Sequence, residues 1–242
     1  MAHIIILAAG KGTRMRSELP KVLHPVGGVP MIGRALRAAE KICARPSIVV
    51  GHRASDVIHA LGPDHAYVLQ MEQRGTGHAV HCALLERDVS DESVFVMPGD
   101  HPFVTAATIR RIVAAREARD AAIALATLKL PDFEGERAQF SGCGRIIRGV
   151  RGTVVGIVER READAAQARI REVNVSYYCF RGSWLKENLS RIVSDGTADE
   201  YYLTDLVAAA AAQSERIADV ALSGIREGMG VNTPEQLAAV AV

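Results

Sequence analysis

The sequence predicts an α/β protein built on a mostly parallel mixed sheet flanked by helices, with a small antiparallel subregion covering the substrate. Three observations carry that expectation. Short apolar runs alternate with helix-periodic segments as far as Leu130. Closely spaced strands around a glycine turn follow. The first apolar run opens directly into a glycine-rich loop. Successive β-α-β units lay strands parallel and put helices on both faces of the sheet.

Taken in order, His3 to Leu7 is the first strand. Ile48 to Val50, Ala66 to Leu69 and Val94 to Met97 are short buried strands, and Ala121 to Leu128 is another. Between them, Pro30 to Ile42, Ala54 to Leu61 and Gly77 to Glu86 have helical spacing, and Thr105 is the expected N-cap of a helix reaching about Arg119. Pro131 to Gly142 is polar and irregular. Gly144 to Ile147, Thr153 to Glu159 and Glu172 to Phe180 are expected as an antiparallel insertion over one edge of the sheet, turning at Gly149 to Gly152. Helices at Ser183 to Val193 and Tyr202 to Ser214, a strand at Ile217 to Leu222 and a short helix from Thr233 complete the order.

The chain has 242 residues, 48% hydrophobic and 24% charged, enough for a sizeable core in a single domain spanning 1–242. A net charge of +1 gives no global field for nucleic acid or an anionic membrane. No apolar stretch approaches the roughly 20 residues that span a bilayer. Four cysteines, Cys43, Cys82, Cys143 and Cys179, lack paired metal-site spacing and fit a reducing, cytoplasmic setting. His78 and His81, spaced for one helix face, have no third ligand nearby and read as packing or surface residues. Arg145, Arg148 and Arg151 make too small a basic patch for nucleic acid.

The functional signal is concentrated in Leu7 to Lys21, LAAGKGTRMRSELPK. A strand feeding a turn of Ala8, Ala9, Gly10 and Gly12 lets backbone N–H groups face an anion. Arg14 and Lys21 then supply two cations for the phosphates of a nucleoside triphosphate. The dinucleotide fingerprint is excluded because Met15 stands where its third glycine belongs, and no stretch has P-loop spacing. In an open α/β sheet, ligands bind at the carboxyl ends of the strands. The Leu7 loop, Asp100 after its strand, and Gly75 and Thr76 ahead of a helix are therefore expected to converge.

With LAAG-x-G-x-RM and PK joined in order by PKVLHPVGG, LQMEQRGTGHA, GRI, GIVER, EVN, EYYLTD and GVNTPEQL, the chain resembles the sugar-1-phosphate nucleotidyltransferases. Within them it is most similar to the uridyltransferase domain of the bifunctional N-acetylglucosamine-1-phosphate uridyltransferase/glucosamine-1-phosphate acetyltransferases. The resemblance implies a Rossmann-like nucleotide-diphospho-sugar transferase fold. Residues 1–130 would mainly hold the nucleotide, and 131–242 would mainly hold the sugar and complete a metal site.

The implied reaction transfers a uridylyl group from UTP to N-acetylglucosamine 1-phosphate with Mg²⁺, giving UDP-N-acetylglucosamine and pyrophosphate for envelope precursors. The alternatives are the same chemistry on another hexose 1-phosphate or nucleotide, or a non-catalytic nucleotide-sugar binder.

By the same resemblance, Leu7, Ala8, Ala9 and Gly10 hold the nucleoside, and Arg14 and Lys21 hold the triphosphate. Gln70, Gly75 and Thr76 read the base. Asp100 and Asn232 ligate the metal. Gly144, Glu159 and Asn174 hold the sugar, with Tyr202 and Thr204 close by. Arg14, Lys21 and Asp100 are the implied catalytic set. Pro98 stands where the family has an aromatic residue, and Val175-Ser176-Tyr177 where it has Thr-Gly-aliphatic. No hexapeptide β-helix is present, so no acetyltransferase half is expected, and a monomer or weak oligomer is.

Overall fold

The computed structural model describes residues 2–85, 87–194 and 200–240. In chain order its strands and α-helices are β1 (Ala2–Ala8), β2 (Pro25–Val26), β3 (Val29–Pro30), α1 (Met31–Glu40), β4 (Ser47–Val50), α2 (Ala54–Leu61), β5 (Ala66–Leu69), α3 (Gly75–Leu85), β6 (Ser93–Pro98), α4 (Ala106–Ala118), β7 (Ile123–Lys129), β8 (Arg145–Arg148), β9 (Val154–Val158), β10 (Glu172–Arg181), α5 (Gly182–Ser194), α6 (Asp205–Ala212), β11 (Ile217–Ala221) and α7 (Pro234–Val240). The expected end of the third helix at Glu86 lies outside the described residues.

The main sheet runs β11-β7-β10-β6-β1-β4-β5, with the β8–β9 hairpin attached to β10 through β8. Pairing is parallel from β6 through β5 and between β11 and β7. Successive residues of β1 serve opposite cores: Ile4 and Ile6 pack with α1 and α4, whereas Ile5 packs with α3. Burial on both faces is why these strands read as continuous apolar runs rather than alternating ones.

The antiparallel group differs from expectation in where its third strand lies. β10 is not over an edge. It is threaded between β6 and β7, antiparallel to both. Its ten residues are apolar enough to be buried on both faces, with Tyr177 and Cys179 in one core and Tyr178 and Phe180 in the other. Because β10 runs opposite to β6, its N-terminal end lies at the carboxyl edge of the parallel strands. Residues 174 to 178 therefore lie at the edge where open α/β sheets bind ligands, and the strand then runs away from it.

Pro98 sits in a central strand, a place proline normally avoids. The Gly99 N–H donates to Leu7 O at 2.8 Å. Backbone N–H groups alternate sides along a strand, so the Pro98 nitrogen faces β10. Pairing between β10 and β6 has already ended at Tyr178–Val96, so no ladder bond is lost.

Local signals set several boundaries. Thr105 caps α4 by accepting the Thr108 N–H at 3.1 Å. The helix expected from Tyr202 begins at Asp205 instead. The Leu203 N–H is diverted to Thr76 Oγ1 at 3.1 Å, which ties this segment to α3. The stretch expected to be irregular after Pro131 contains 3-10 turns over Gly135–Gly142. Among the described residues, no helix is long and apolar enough to cross a membrane.

Candidate active site

A cleft of about 740 Å³ opens at the carboxyl ends of β1 and β6, where strand order reverses around β1. Leu7, Ala8, Ala9 and Gly10 form its floor. Gly12 is the position in the loop that must be glycine. It takes φ +61°, and a β-carbon there would lie 2.6 Å from Lys21 Cβ. Gly10 has nothing within 4 Å of such an atom. The close approach at Gly12 folds Arg14 and Lys21 back toward the strand ends.

Those cations meet Asp100 and Asn232. Lys21 Nζ forms an ion pair with Asp100 Oδ2 and donates to Asn232 Oδ1 at 2.9 Å. Arg14 Nη2 donates to the same Asn232 oxygen at 2.9 Å. Asn232 is held by its surroundings. The Val231 N–H donates to Asp100 O at 3.0 Å, and the Asn232 N–H donates to Gln236 Oε1 at 2.7 Å. Thr233 Oγ1 accepts the Gln236 N–H at 3.3 Å. This is a capping arrangement written in the NTPEQ sequence, with the Gln236 side chain reaching one residue beyond the Thr233 cap and proline at the first helical position.

Asp100 is 6% exposed. Burial pushes its carboxyl up, but the charges of Lys21 and His101 and the Lys21 hydrogen bond outweigh this and hold it below its ordinary value. His101, buried beside it, is pushed down by burial. Tyr177 donates its hydroxyl proton to Glu227 O at 2.7 Å, so its oxygen is left to accept from His101 Nδ1 at 3.0 Å. That arrangement puts the His101 proton on Nδ1 and turns Nε2 toward Asp100. Gly230 makes room for the ring, since a β-carbon there would lie 2.5 Å from Nε2.

Where a base is expected, Gln70 follows β5 and is 3% exposed. Its Nε2 donates to Gly75 O at 3.1 Å and lies 3.1 Å from His78 Nδ1. Its Oε1 takes no protein partner among the described residues. Gly75 takes φ +87°, and a β-carbon there would collide with the Tyr201 carbonyl. The Gly77 N–H donates to that carbonyl at 2.7 Å, and the Tyr201 N–H donates to Arg74 O at 3.0 Å. Residues 74–77 and 201–203 are thus stitched together, and Thr76 is held between them.

Of the residues expected to hold a sugar, Glu159, Asn174, Tyr202 and Thr204 line the cleft. Burial pushes the Glu159 carboxyl up, opposed by a hydrogen bond with Thr204. Asn174 Nδ2 donates to Tyr178 OH at 2.7 Å. Gly144 is not part of the lining. Its carbonyl accepts the Asn174 N–H at 2.9 Å, and a β-carbon there would lie 2.8 Å from Ile157 Cγ2. Tyr202 OH bonds Glu200 and accepts from Arg161 at 3.0 Å.

The structure thus brings all the sequence-expected residues except Gly144 into one lining. It also adds His101 and Tyr178, which sequence reading left out, and Ser176, which that reading noted only as a departure from the family pattern. Tyr178 carried one faint signal, its even spacing from Asn174 along a strand. Among the described residues, no group of three or more His, Cys, Asp or Glu side chains is arranged to hold a metal. The oxygen pair of Asp100 and Asn232 is of a different kind.

The sequence profile of the MobA-like NTP transferase domain matches residues 4–139. The chain is 42% identical over 237 residues to the "Bifunctional protein GlmU" of Trichlorobacter lovleyi, covering 97% of this chain and 50% of that protein. It is 43% identical over 246 residues to the protein of the same name from Kineococcus radiotolerans, covering 99% and 48%. It is 38% identical over 229 residues to that of Shouchella clausii, covering 94% and 49%. The chain spans about half the length of the curated relatives it matches.

Proposed function

The chain belongs to the MobA-like NTP transferase domain family, and on that premise we propose that it transfers a uridylyl group from UTP to N-acetylglucosamine 1-phosphate, releasing pyrophosphate. The observation that carries this reading is the group formed by Arg14, Lys21, Asp100 and Asn232 at the end of β1. Two cations and two hard oxygen donors meet there, between a base side at Gln70 and a sugar side at Glu159 and Asn174.

The donor set suits Mg²⁺. The ion takes one or two protein oxygens and completes its shell with substrate phosphates and water. Lys21 Nζ touches both Asp100 Oδ2 and Asn232 Oδ1, so one small cation can reach both oxygens. When bound, the ion neutralises phosphate charge that builds up as pyrophosphate leaves.

The remaining work falls to the chain's own groups. A sugar 1-phosphate is already an anionic nucleophile, so alignment and charge neutralisation suffice and no strong general base is required. Arg14 can fork two phosphate oxygens, whereas Lys21 acts as a point charge that shifts from Asp100 onto the triphosphate. With Nε2 turned inward, Gln70 offers Oε1 as an acceptor to a base bearing a ring N–H, as uracil does. We further assign residues 1–130 mainly to the nucleotide and 131–242 mainly to the sugar and the completion of the metal site.

A second reading, another hexose 1-phosphate, is favoured by the sugar side itself. Val175, 2% exposed, is packed beside Gly228 and presents no polar group. The deciding experiment measures pyrophosphate release with Mg²⁺ for a panel of sugar 1-phosphates crossed with the four nucleotides. Fastest turnover with UTP and N-acetylglucosamine 1-phosphate is expected. Fastest turnover with another sugar establishes the second reading, and release with no pair removes the enzymatic reading.

A further inference from the structure

Between Asn174 and Tyr178, β10 carries extra residues. Asn174 pairs with Thr127 and Tyr178 with Leu125, so the strand bulges. At the crest, Ser176 takes φ +61°. A left-handed backbone is unfavourable for any residue with a β-carbon, and such outliers persist only where the surroundings enforce them.

The surroundings here do enforce it. Asn174 Oδ1 accepts the Ser176 N–H at 3.0 Å, closing an Asx turn. Tyr178 OH accepts from Asn174 Nδ2 at 2.7 Å, which fixes the other end of that side chain. The flanking residues cannot exchange faces with it, because Val175 is buried beside Gly228 and Tyr177 beside His101. Ser176 is half-buried and lines the cleft next to Asn174, Tyr178 and Glu159. The Asn174 amide is held by protein partners at both ends, which leaves the Ser176 hydroxyl as a free-edged polar group on this wall.

We propose that Ser176 is a specificity-determining residue whose hydroxyl contacts the sugar of the sugar 1-phosphate. This rests on the sugar-nucleotide chemistry proposed above. The left-handed turn is the device that presents the hydroxyl: a regular strand would bring residue 176 into the ladder with β7.

The test compares wild type, Ser176→Ala and Ser176→Gly by calorimetric titration with UDP and with UDP-N-acetylglucosamine, alongside melting temperatures. Ser176→Ala keeps the β-carbon and removes the hydroxyl. It is expected to weaken UDP-N-acetylglucosamine about three- to tenfold, the range of one hydrogen bond, and to leave UDP unchanged. Ser176→Gly should lose the same binding without a fall in melting temperature. In turnover, KM for the sugar phosphate should rise while KM for UTP holds. Unchanged UDP-N-acetylglucosamine affinity in both variants overturns the proposal, as does an equal loss for UDP, which indicates a deformed cleft. A wild type that binds neither ligand overturns the proposed function itself, and this assignment with it.

Discussion

Lys21 and Asp100 are ion-paired within the cleft, and the ammonium that neutralises the carboxylate also holds Asn232. The proposed phosphate clamp thus occupies the oxygen donors of the proposed metal site. Removing one member of a buried pair strands the other's charge. Lys21→Ala is therefore expected to lower stability by about 2–4 kcal/mol as well as to impair UTP use. Millimolar Mg²⁺ should restore much of the lost melting temperature, because Asp100 regains a cation. Thermal melts with and without Mg²⁺ check this, and equal Mg²⁺ responses in wild type and variant contradict it.

Asp100→Ala removes the carboxylate and leaves Lys21, which is partly exposed, to reach solvent. Metal-dependent turnover is expected to fall by about a hundred- to a thousandfold, the scale of losing one preorganised electrostatic group. Circular dichroism should remain that of the wild type. Retained turnover would take Asp100 out of the reaction.

Gly75→Ala tests the stitching of the base side. At φ +87° and against the Tyr201 carbonyl, a β-carbon is both strained and obstructed. A loss of about 2–4 kcal/mol is expected from the combined backbone and steric terms, with a raised KM for UTP. Denaturant midpoints and steady-state kinetics read the two effects separately.

Glu159 gives a pH dependence of opposite sign to an ordinary paired carboxylate. Burial raises its folded-state pKa, so the folded protein holds this proton more tightly than the unfolded chain. The group costs nothing below the ordinary carboxylate range, and its cost grows as pH rises through the raised value. Glu159→Gln should therefore raise the melting temperature at pH 7 and not at pH 3, while weakening sugar-phosphate binding.

His3 acts in the acid range. Burial, with a smaller contribution from Arg87, pushes its pKa down to about 4. Above pH 6.5 both states are neutral there. As pH falls from 6.5 toward 4 the unfolded chain takes up a proton that the folded protein refuses, and stability drops by on the order of 3 kcal/mol. His3 lies 3.0 Å from Ser47 Oγ, at the edge of the sheet away from the cleft. His3→Gln should flatten that acid limb in urea titrations across pH without altering turnover.

How legible each part was depended on the range of the forces that set it. Boundaries written by neighbours were readable, as at Thr105 and its Thr108 N–H, and in the NTPEQ cap that holds Asn232. The start of α6 was not, because Thr76, 127 residues away, takes the Leu203 N–H. Gly144 matched a sugar-side motif, and the structure shows its carbonyl as the acceptor for the Asn174 N–H, a link between strands that no local pattern gives. His101 belongs to none of the sequence motifs, and only the approach of Tyr177 and Gly230 turns it toward Asp100.

By itself the sequence determined the alternation of strands and helices, the glycine loop after β1 and the charges it carries. All of these depend on hydrophobic periodicity and backbone freedom over a few residues. Tertiary structure alone decided that β10 enters the middle of the sheet in reverse, which delivers Asn174, Ser176 and Tyr178 to the cleft. It also decided that Lys21, Asp100 and Asn232 share one hydrogen-bonded group. The reason is that sheet order and charge pairing are set by contacts between residues as much as 218 positions apart. No local pattern encodes them, and the burial of both faces of the sheet selects them.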